Sequence, residues 1–250
     1  MKKLYLFAIA TLLTLQSCTV MKDVTTTNRE ASYSVSLNKV ELPSNSKERF
    51  SETIQKDNSD GSVTKYVFED EKIKIFWMVF NDQFAFTIYN KSDHAIKISW
   101  DDAVYVGVDK NISKMIHSRI KYIQRNDGQV ATTIPKGAKL DDILVPVDNI
   151  KYYEYLGWRT SSLFPHSFST DDEMQKAEKL EGETVSILLP IMIEGIQNDY
   201  TFTFKIDNVT TESKTTTSQV HDTDAEMWSI IGWSVGLCVG VPVIILLMVL

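Results

Sequence analysis

Histidines and paired aspartates are the residues of this chain that could bind a metal ion or transfer protons. The four histidines are far apart in the sequence, and none has the spacing of a metal site. Adjacent aspartates could hold calcium or act as acid and base, but neighbouring residues of a strand point to opposite faces, so a pair alone cannot form a site. The histidines are His94, His117, His166 and His221, and the aspartate pairs are Asp101-Asp102, Asp141-Asp142 and Asp171-Asp172. We therefore predict that these acids are solvated turn and cap residues.

The sequence also lacks the motifs of common enzyme classes. It contains no Gly-x-Ser-x-Gly nucleophile elbow and no Gly-rich phosphate loop. We predict that the protein is not an enzyme and has no catalytic residue, no metal ligand and no cofactor. An enzyme is the most distant alternative, and a cluster of convergent polar groups in a pocket would indicate one.

The N-terminus has the order of charged and apolar residues found in a secretory signal peptide. Two lysines precede an apolar run over residues 4–15, and a cysteine follows soon after. The residues Leu15-Gln16-Ser17-Cys18 resemble the lipobox of bacterial lipoproteins, although Gln16 replaces the small or apolar residue more usual there. The resemblance implies a signal peptide of residues 1–17, cleavage between Ser17 and Cys18, and a lipid on Cys18. An ordinary signal peptide with an incidental cysteine is the alternative.

Aromatic residues are dense in residues 147–182, a segment without sustained strand alternation. We predict a long aromatic loop there. Because aromatic rings stack on sugars and anchor protein interfaces, this loop supplies the candidate binding residues. They are Tyr152, Tyr153, Tyr155 and Trp158. Such rings more often close the open end of a sandwich than bind a ligand, so a carbohydrate-binding protein that uses the loop from Tyr152 to Phe168 is the alternative function.

Strand alternation in the rest of the chain predicts the elements that would position such a site. Residues 84–100 contain two alternating runs around a polar turn at residues 90–93, which predicts an antiparallel hairpin with one apolar face. Residues 73–80 are mostly apolar on both faces, as in a central strand. Residues 184–194 and 200–206 predict a second hairpin.

Two local signals refine this prediction. Pro190 cannot donate to a ladder, which predicts an edge strand or a bulge. Thr170 and Glu173 have capping-box spacing and predict a short helix over residues 171–180, closed by Gly182. Because a sheet with one apolar face needs a second layer, we predict an all-β fold. The predicted fold is an immunoglobulin-like antiparallel β-sandwich over residues 32–206 with one short helix.

Polar, threonine-rich segments flank the predicted sandwich. Residues 18–31 are predicted to form a flexible tether and residues 207–226 a Thr/Ser-rich linker. Residues 227–250 carry no charge and are long enough to form a C-terminal transmembrane helix. Gly232, Gly236 and Gly240 would share one face of that helix, which predicts helix packing and a homo-oligomer, with an incidental pattern as the alternative.

Charge and cysteine content narrow the class of partner. The net charge of −7 disfavours nucleic acid, and no cysteine lies between Cys18 and Cys238. The whole pattern is similar to that of bacterial envelope lipoproteins with one immunoglobulin-like domain. It predicts a non-catalytic, membrane-anchored extracytoplasmic lipoprotein, a binding or assembly module whose partners are membrane lipid and an envelope protein or glycan. The predicted location is the inner membrane, facing the periplasm, and the outer membrane is the alternative.

Overall fold

The structure is a computed structural model that describes residues 21–41, 55–57 and 64–221. The chain divides into two compact units. In the described part, one unit contains residues 21–28 and 214–221, and the other is Arg29–Ser213. Ser17 and Cys18 lie outside the described residues, as do residues 227–250 with Gly232, Gly236 and Gly240.

Strands dominate the described residues, which also contain one α-helix. The strands are β1 (Met21–Glu41), β2 (Gln55–Asp57), β3 (Lys65–Glu69), β4 (Ile73–Val79), β5 (Phe84–Asn90), β6 (Ile96–Ile98), β7 (Val104–Val106), β8 (Ile112–His117), β9 (Thr132–Ile134), β10 (Lys139–Pro146), β11 (Ile150–Tyr153), β12 (Gly157–Thr160), β13 (Ser167–Phe168), β14 (Thr184–Ile193) and β15 (Ile196–His221). The helix is α1 (Asp171–Glu178), and 3-10 turns cover Trp100–Asp102, Tyr122–Gln124 and Val147–Asn149. Thr170 caps α1 by accepting a hydrogen bond from the Glu173 amide at 3.2 Å, which confirms the predicted helix start, while the Glu173 carboxylate accepts from the Ser169 amide at 3.0 Å, one residue before the cap.

Thirteen strands form one antiparallel sheet. Its order is β13-β1-β15-β14-β7-β8-β10-β5-β4-β3-β2, and β6 pairs with both β14 and β9. Within the Arg29–Ser213 unit the sheet curls, so that β4 packs over β15. The Trp77 ring lies 5.0 Å from the Phe202 ring and 5.7 Å from the Phe204 ring, between the two layers. The buried faces of both layers form one apolar core.

The fold is all-β and sandwich-like, but the predicted immunoglobulin-like sandwich with a transmembrane helix is wrong. The two layers are continuous through β8, which pairs with β7 on one side and β10 on the other. An immunoglobulin sandwich instead packs two separate sheets. Among the described residues, no helix is long and apolar enough to cross a membrane.

The predicted hairpin over residues 84–100 is also wrong. β5 pairs with β4 and β10, whereas β6 pairs with β14 and β9. The polar turn therefore carries the chain between layers and does not join two adjacent strands. Its buried Asn90 side chain holds the crossing by donating to the carbonyl oxygens of His94 at 2.8 Å and Ile134 at 2.9 Å. The alternation of apolar and polar residues predicted which strand faces are buried. It could not predict which strands pair, because strands in both layers of the core have the same alternation.

The hairpin of β14 and β15 is confirmed, with Leu189 opposite Tyr200. Pro190 lies in an interior strand, not at an edge. On the side of β14 away from β15, β7 ends its pairing at Leu188 and β6 begins at Ile191. The Pro190 carbonyl faces this gap, where it accepts from the Ser99 amide at 3.1 Å. Because the N–H and C=O of a strand residue point the same way, the missing proline donor faces the break between two short strands.

The predicted tether and linker contain long strands. Residues 21–28 of β1 and residues 214–221 of β15 form a paired ribbon in a unit of their own. Thr25 Oγ1 lies 3.4 Å from Thr217 Oγ1, and Thr27 Oγ1 lies 3.1 Å from Thr215 Oγ1. Threonine is polar enough to look like linker, yet its β-branch favours strands and its hydroxyl pairs across them. Polarity alone therefore gave the wrong boundaries.

A buried polar contact joins the β3–β4 turn to β15. The Tyr200 hydroxyl donates to Asp70 Oδ2 at 2.9 Å, and Asp70 Oδ1 accepts from the amides of Lys72 and Ile73 at 2.8 and 2.7 Å. Burial, together with the Asp70 charge and this hydrogen bond, raises the pKa of Tyr200 above its ordinary value of 10. The neutral hydroxyl is therefore the form that the folded state favours.

Two results are expected from Tyr200→Phe. The variant leaves Asp70 Oδ2 buried without its donor, so the free energy of unfolding should fall by about 1–3 kcal/mol at pH 7. A tyrosine with a raised folded-state pKa stabilises the protein fully below pH 10 and loses that contribution as the pH rises further. Urea unfolding between pH 8 and 11 should therefore show a shallower alkaline loss of stability in Tyr200→Phe than in the wild type.

The control for this experiment is Tyr89→Phe, which removes a hydroxyl from an exposed ring of β5. It should reproduce the wild-type alkaline slope. If stability falls with pH equally steeply in Tyr200→Phe and in the wild type, ionisation of Tyr200 does not contribute to the alkaline loss of stability.

Candidate functional site

Residues 150–160 form a β-hairpin rather than the predicted long loop. In this hairpin β11 pairs with β12, with Tyr152 opposite Trp158 and Tyr153 opposite Gly157. The Leu156 amide donates to the Tyr153 carbonyl at 3.2 Å, and Gly157 adopts a φ of +71° that closes the turn. Each strand has only four residues, so alternation over them was too short to detect in the sequence.

The tyrosines of this hairpin lie on the surface. Tyr152 is 61% exposed, Tyr153 46% and Tyr155 92%, and the neighbouring Leu156 is 61% exposed. These tyrosines are therefore not buried as a lid of the sandwich, although that is the more common role of such rings. Of the same segment, Leu163 and Phe164 are the residues buried in the main core, and the Phe164 ring lies 5.0 Å from the Tyr33 ring. The hairpin therefore concentrates apolar surface that the main core does not use.

Trp158 differs from the three tyrosines because it anchors the base of the hairpin. Its ring is half-buried and packs against a second small core of Ile116, Val145 and Ile150. The Tyr152 ring meets it edge-on at 5.3 Å, and the Arg125 guanidinium lies 4.7 Å from its centre. These contacts are an aromatic pair and a cation–π pair. The base is thus fixed, while exposed rings lie on β11 at Tyr152 and Tyr153 and in the turn at Tyr155.

The segment before β9 braces the same hairpin. The Tyr122 hydroxyl lies 3.0 Å from Thr160 Oγ1, within hydrogen-bond distance, and Arg125 covers Trp158. Ile123, between these two contacts in sequence, is exposed. We call the hairpin of β11 and β12 together with residues 119–125 the aromatic hairpin site.

One pair of titratable residues was missed by the sequence analysis. His117 Nδ1 lies 3.2 Å from Asp142 Oδ2, and both side chains are buried. The imidazole stacks on the Trp100 ring at 4.6 Å, and Asp142 Oδ1 accepts from the Ser118 amide at 2.9 Å. The prediction that Asp142 is a solvated turn residue is therefore wrong. The pair fastens the end of β8 to β10, and no local spacing could reveal it because strand pairing brings the residues together.

The other paired aspartates are exposed, and Asp101, Asp102, Asp171 and Asp172 lie in first turns as predicted, whereas Asp141 lies within strand β10. Asp101 accepts from Lys114 Nζ at 2.8 Å and from the Gln129 amide at 3.0 Å, and these contacts hold the pKa of Asp101 below its usual range. Within residues 21–41, 55–57 and 64–221, no group of three or more His, Cys, Asp or Glu side chains is arranged to hold a metal ion.

Comparisons of this chain with protein-family models, with curated proteins and with solved structures find no match. The aromatic hairpin site is therefore the feature of this chain that bears on its function.

Two alanine substitutions should separate the base of the hairpin from its turn. Trp158→Ala removes the contacts with Tyr152 and Arg125, so we expect about 1–3 kcal/mol lower stability and faster amide exchange in residues 150–160. Tyr155→Ala removes a ring that is 92% exposed, so its effect on stability should stay within about 0.5 kcal/mol. Denaturant unfolding and hydrogen exchange measure both. A large loss of stability in Tyr155→Ala would show that this ring serves folding.

Proposed function

We propose that this protein is a non-catalytic, lipid-anchored binding protein of the bacterial cell envelope that engages its partner through the aromatic hairpin site. The observation that carries the proposal is the exposure of Tyr152, Tyr153 and Tyr155 on a hairpin with a fixed base. Exposed apolar surface concentrated in one place is typical of interaction sites.

Tyrosine suits such a surface for two physical reasons. Each ring offers a large contact area with only two side-chain torsions to restrict, so little conformational entropy is lost on binding. The anchoring of Trp158 also orders the base before a ligand arrives, which lowers the cost of binding. The main core is already filled by other aromatic residues, so none of the three tyrosines is needed there, and Tyr152 alone also packs on Trp158.

The location rests on the sequence around Cys18. The signal peptide and the lipobox-like residues before Cys18 support export and attachment to membrane lipid. Only Thr19 and Val20 separate Cys18 from the first residue of β1. A lipid on this cysteine would hold the start of β1 close to the membrane surface. The cell envelope is the location we propose.

A carbohydrate-binding protein is the second candidate, favoured by the exposure of the tyrosine rings. Sugars bind proteins by stacking their apolar faces on aromatic rings, and three exposed tyrosines within four residues offer several such faces. A protein partner would instead use the rings as interface anchors. Both candidates place the contact on the aromatic hairpin site, so one set of variants tests them together.

Replacing Tyr152, Tyr153 and Tyr155 together by alanine should abolish partner binding. The detergent-solubilised full-length protein would be incubated with fractionated envelope protein and envelope polysaccharide, and specific retention of each fraction measured. We expect retention of one fraction to fall at least tenfold in the triple variant, because the rings supply most of the exposed contact area. The control replaces Ile112 and Ile196, which are exposed outside the hairpin, by alanine and should retain wild-type binding. Equal retention by the triple variant and the wild type would refute the proposed role of the hairpin.

Lipidation of Cys18 has a separate test. Cells that express the wild type should incorporate labelled palmitate into the protein, and Cys18→Ala should remove the label because the acceptor sulfur and the cleavage residue are lost together. Cys238→Ala, which changes the other cysteine of the chain, should keep the label. Undiminished labelling of Cys18→Ala would show that the lipobox resemblance is incidental.

A further inference from the structure

Two like charges face each other on the outer surface of the hairpin. Lys151 on β11 lies directly opposite Arg159 on β12, and both side chains are exposed. Like charges in this position destabilise a strand pair. Among the described residues, no carboxylate forms an ion pair with either cation, and Arg159 bonds only the neutral carbonyl of Trp158 at 2.8 Å. Within the described part of the chain, these two neighbouring cations therefore have no ion-pair partner, and an anionic ligand would supply one.

Most of the other strand and turn cations of the Arg29–Ser213 unit are matched by carboxylates. The described ion pairs include those of Lys39, Lys72, Lys74, Lys91, Lys110, Lys114, Lys136 and Lys139. In residues 119–125, which contact the hairpin, the cations Arg119, Lys121 and Arg125 form no ion pair with a described residue. Residues 119–125 and 150–160 together contain five cations and one carboxylate, Glu154, in a chain of net charge −7. A positive site has formed on an acidic protein.

The same face carries an aromatic ring beside open space. Alternation along the strand places Tyr153 on the face of Lys151, and its cross-strand neighbour is Gly157, which has no side chain. A Cβ built on Gly157 would meet nothing within 4 Å. The Tyr153 ring therefore has no cross-strand side chain over it, and the two cations Lys151 and Arg159 lie two residues further along the strands, on the same face. An aromatic ring with open space beside it and cations nearby is complementary to a flat ligand that carries negative groups.

We propose that this face binds an acidic polysaccharide, with a sugar ring stacked on Tyr153 and its carboxylate or phosphate group held between Lys151 and Arg159. The inference rests on the proposed function, since it names the chemistry of the ligand for the same hairpin. Arginine binds planar carboxylates through two parallel hydrogen bonds, and the ligand charge would relieve the repulsion between the two cations. An anionic lipid surface fits less well, because the turn that would enter it carries the carboxylate of Glu154 beside the apolar residues.

The test compares two polymers with the same sugar backbone, one bearing carboxylates and the other neutral methyl esters. Binding of the detergent-solubilised full-length protein to polygalacturonate and to its fully methyl-esterified form would be measured by calorimetry at low and high salt. We expect the wild type to bind the acidic polymer at least tenfold more tightly, with a gap that shrinks as salt increases. Lys151→Gln with Arg159→Gln should remove the gap, and Tyr153→Ala should weaken binding to both polymers.

The matched control is Lys39→Gln with Lys136→Gln, which removes two exposed cations that are already paired with Glu41 and Asp93. It should keep the wild-type preference, and circular dichroism checks that every variant is folded. Equal affinity for both polymers, lost in Tyr153→Ala, would overturn the acidic ligand and leave the proposed function standing. Binding to phosphatidylglycerol vesicles that is lost in Lys151→Gln with Arg159→Gln, without binding to either polymer, would overturn it in favour of a membrane surface. Absence of binding to polymers and vesicles would also overturn it, and the envelope-fraction experiment then decides the proposed function by itself.

Discussion

The fold depends on aromatic side chains that meet between the two layers of the curled sheet. Trp77 of β4 is fully buried against Phe202 and Phe204 of β15. The strands β4 and β15 are far apart in the order of the sheet. Each such side chain contributes about 1.5–3 kcal/mol on burial, and no cysteine between residues 18 and 238 can add a disulfide. Trp77 Nε1 is buried without a hydrogen-bond partner in the described structure. Its aromatic neighbours offer only π faces, which are weak acceptors, so packing alone holds the ring.

That packing explains why the hairpin can expose its rings. The main core is complete without Tyr152, Tyr153 and Tyr155, and the base of the hairpin has a small core of its own around Ile150. In the proposed function, stability and recognition would therefore depend mainly on different aromatic residues. A surface of this kind can change its ring composition without changing the fold beneath it, which is how binding loops on rigid scaffolds acquire specificity.

Sequence reasoning succeeded where the physical signal is local and failed where it is not. Alternation over Phe84, Phe86 and Ile88 identified a buried strand face, and the Thr170–Glu173 spacing identified the start of the helix. Strand partners could not be read, because the apolar period of β5 and β6 is the same whether they pair with each other or lie in opposite layers. For the site, the sequence located the aromatic segment but not its exposure. Exposure depends on whether other residues, here Leu163 and Phe164, already fill the core.

The threonine ribbon has a mechanical consequence. Thr25 lies opposite Thr217 and Thr27 opposite Thr215, so the two strands are antiparallel, and Met21 and His221 lie at the same end of the ribbon. Tension applied between Met21 and His221 loads the cross-strand bonds one after another, starting at that end. Such a geometry yields at lower force than one in which all bonds are sheared together. A ribbon with this antiparallel geometry therefore opens stepwise from Met21 under such a load.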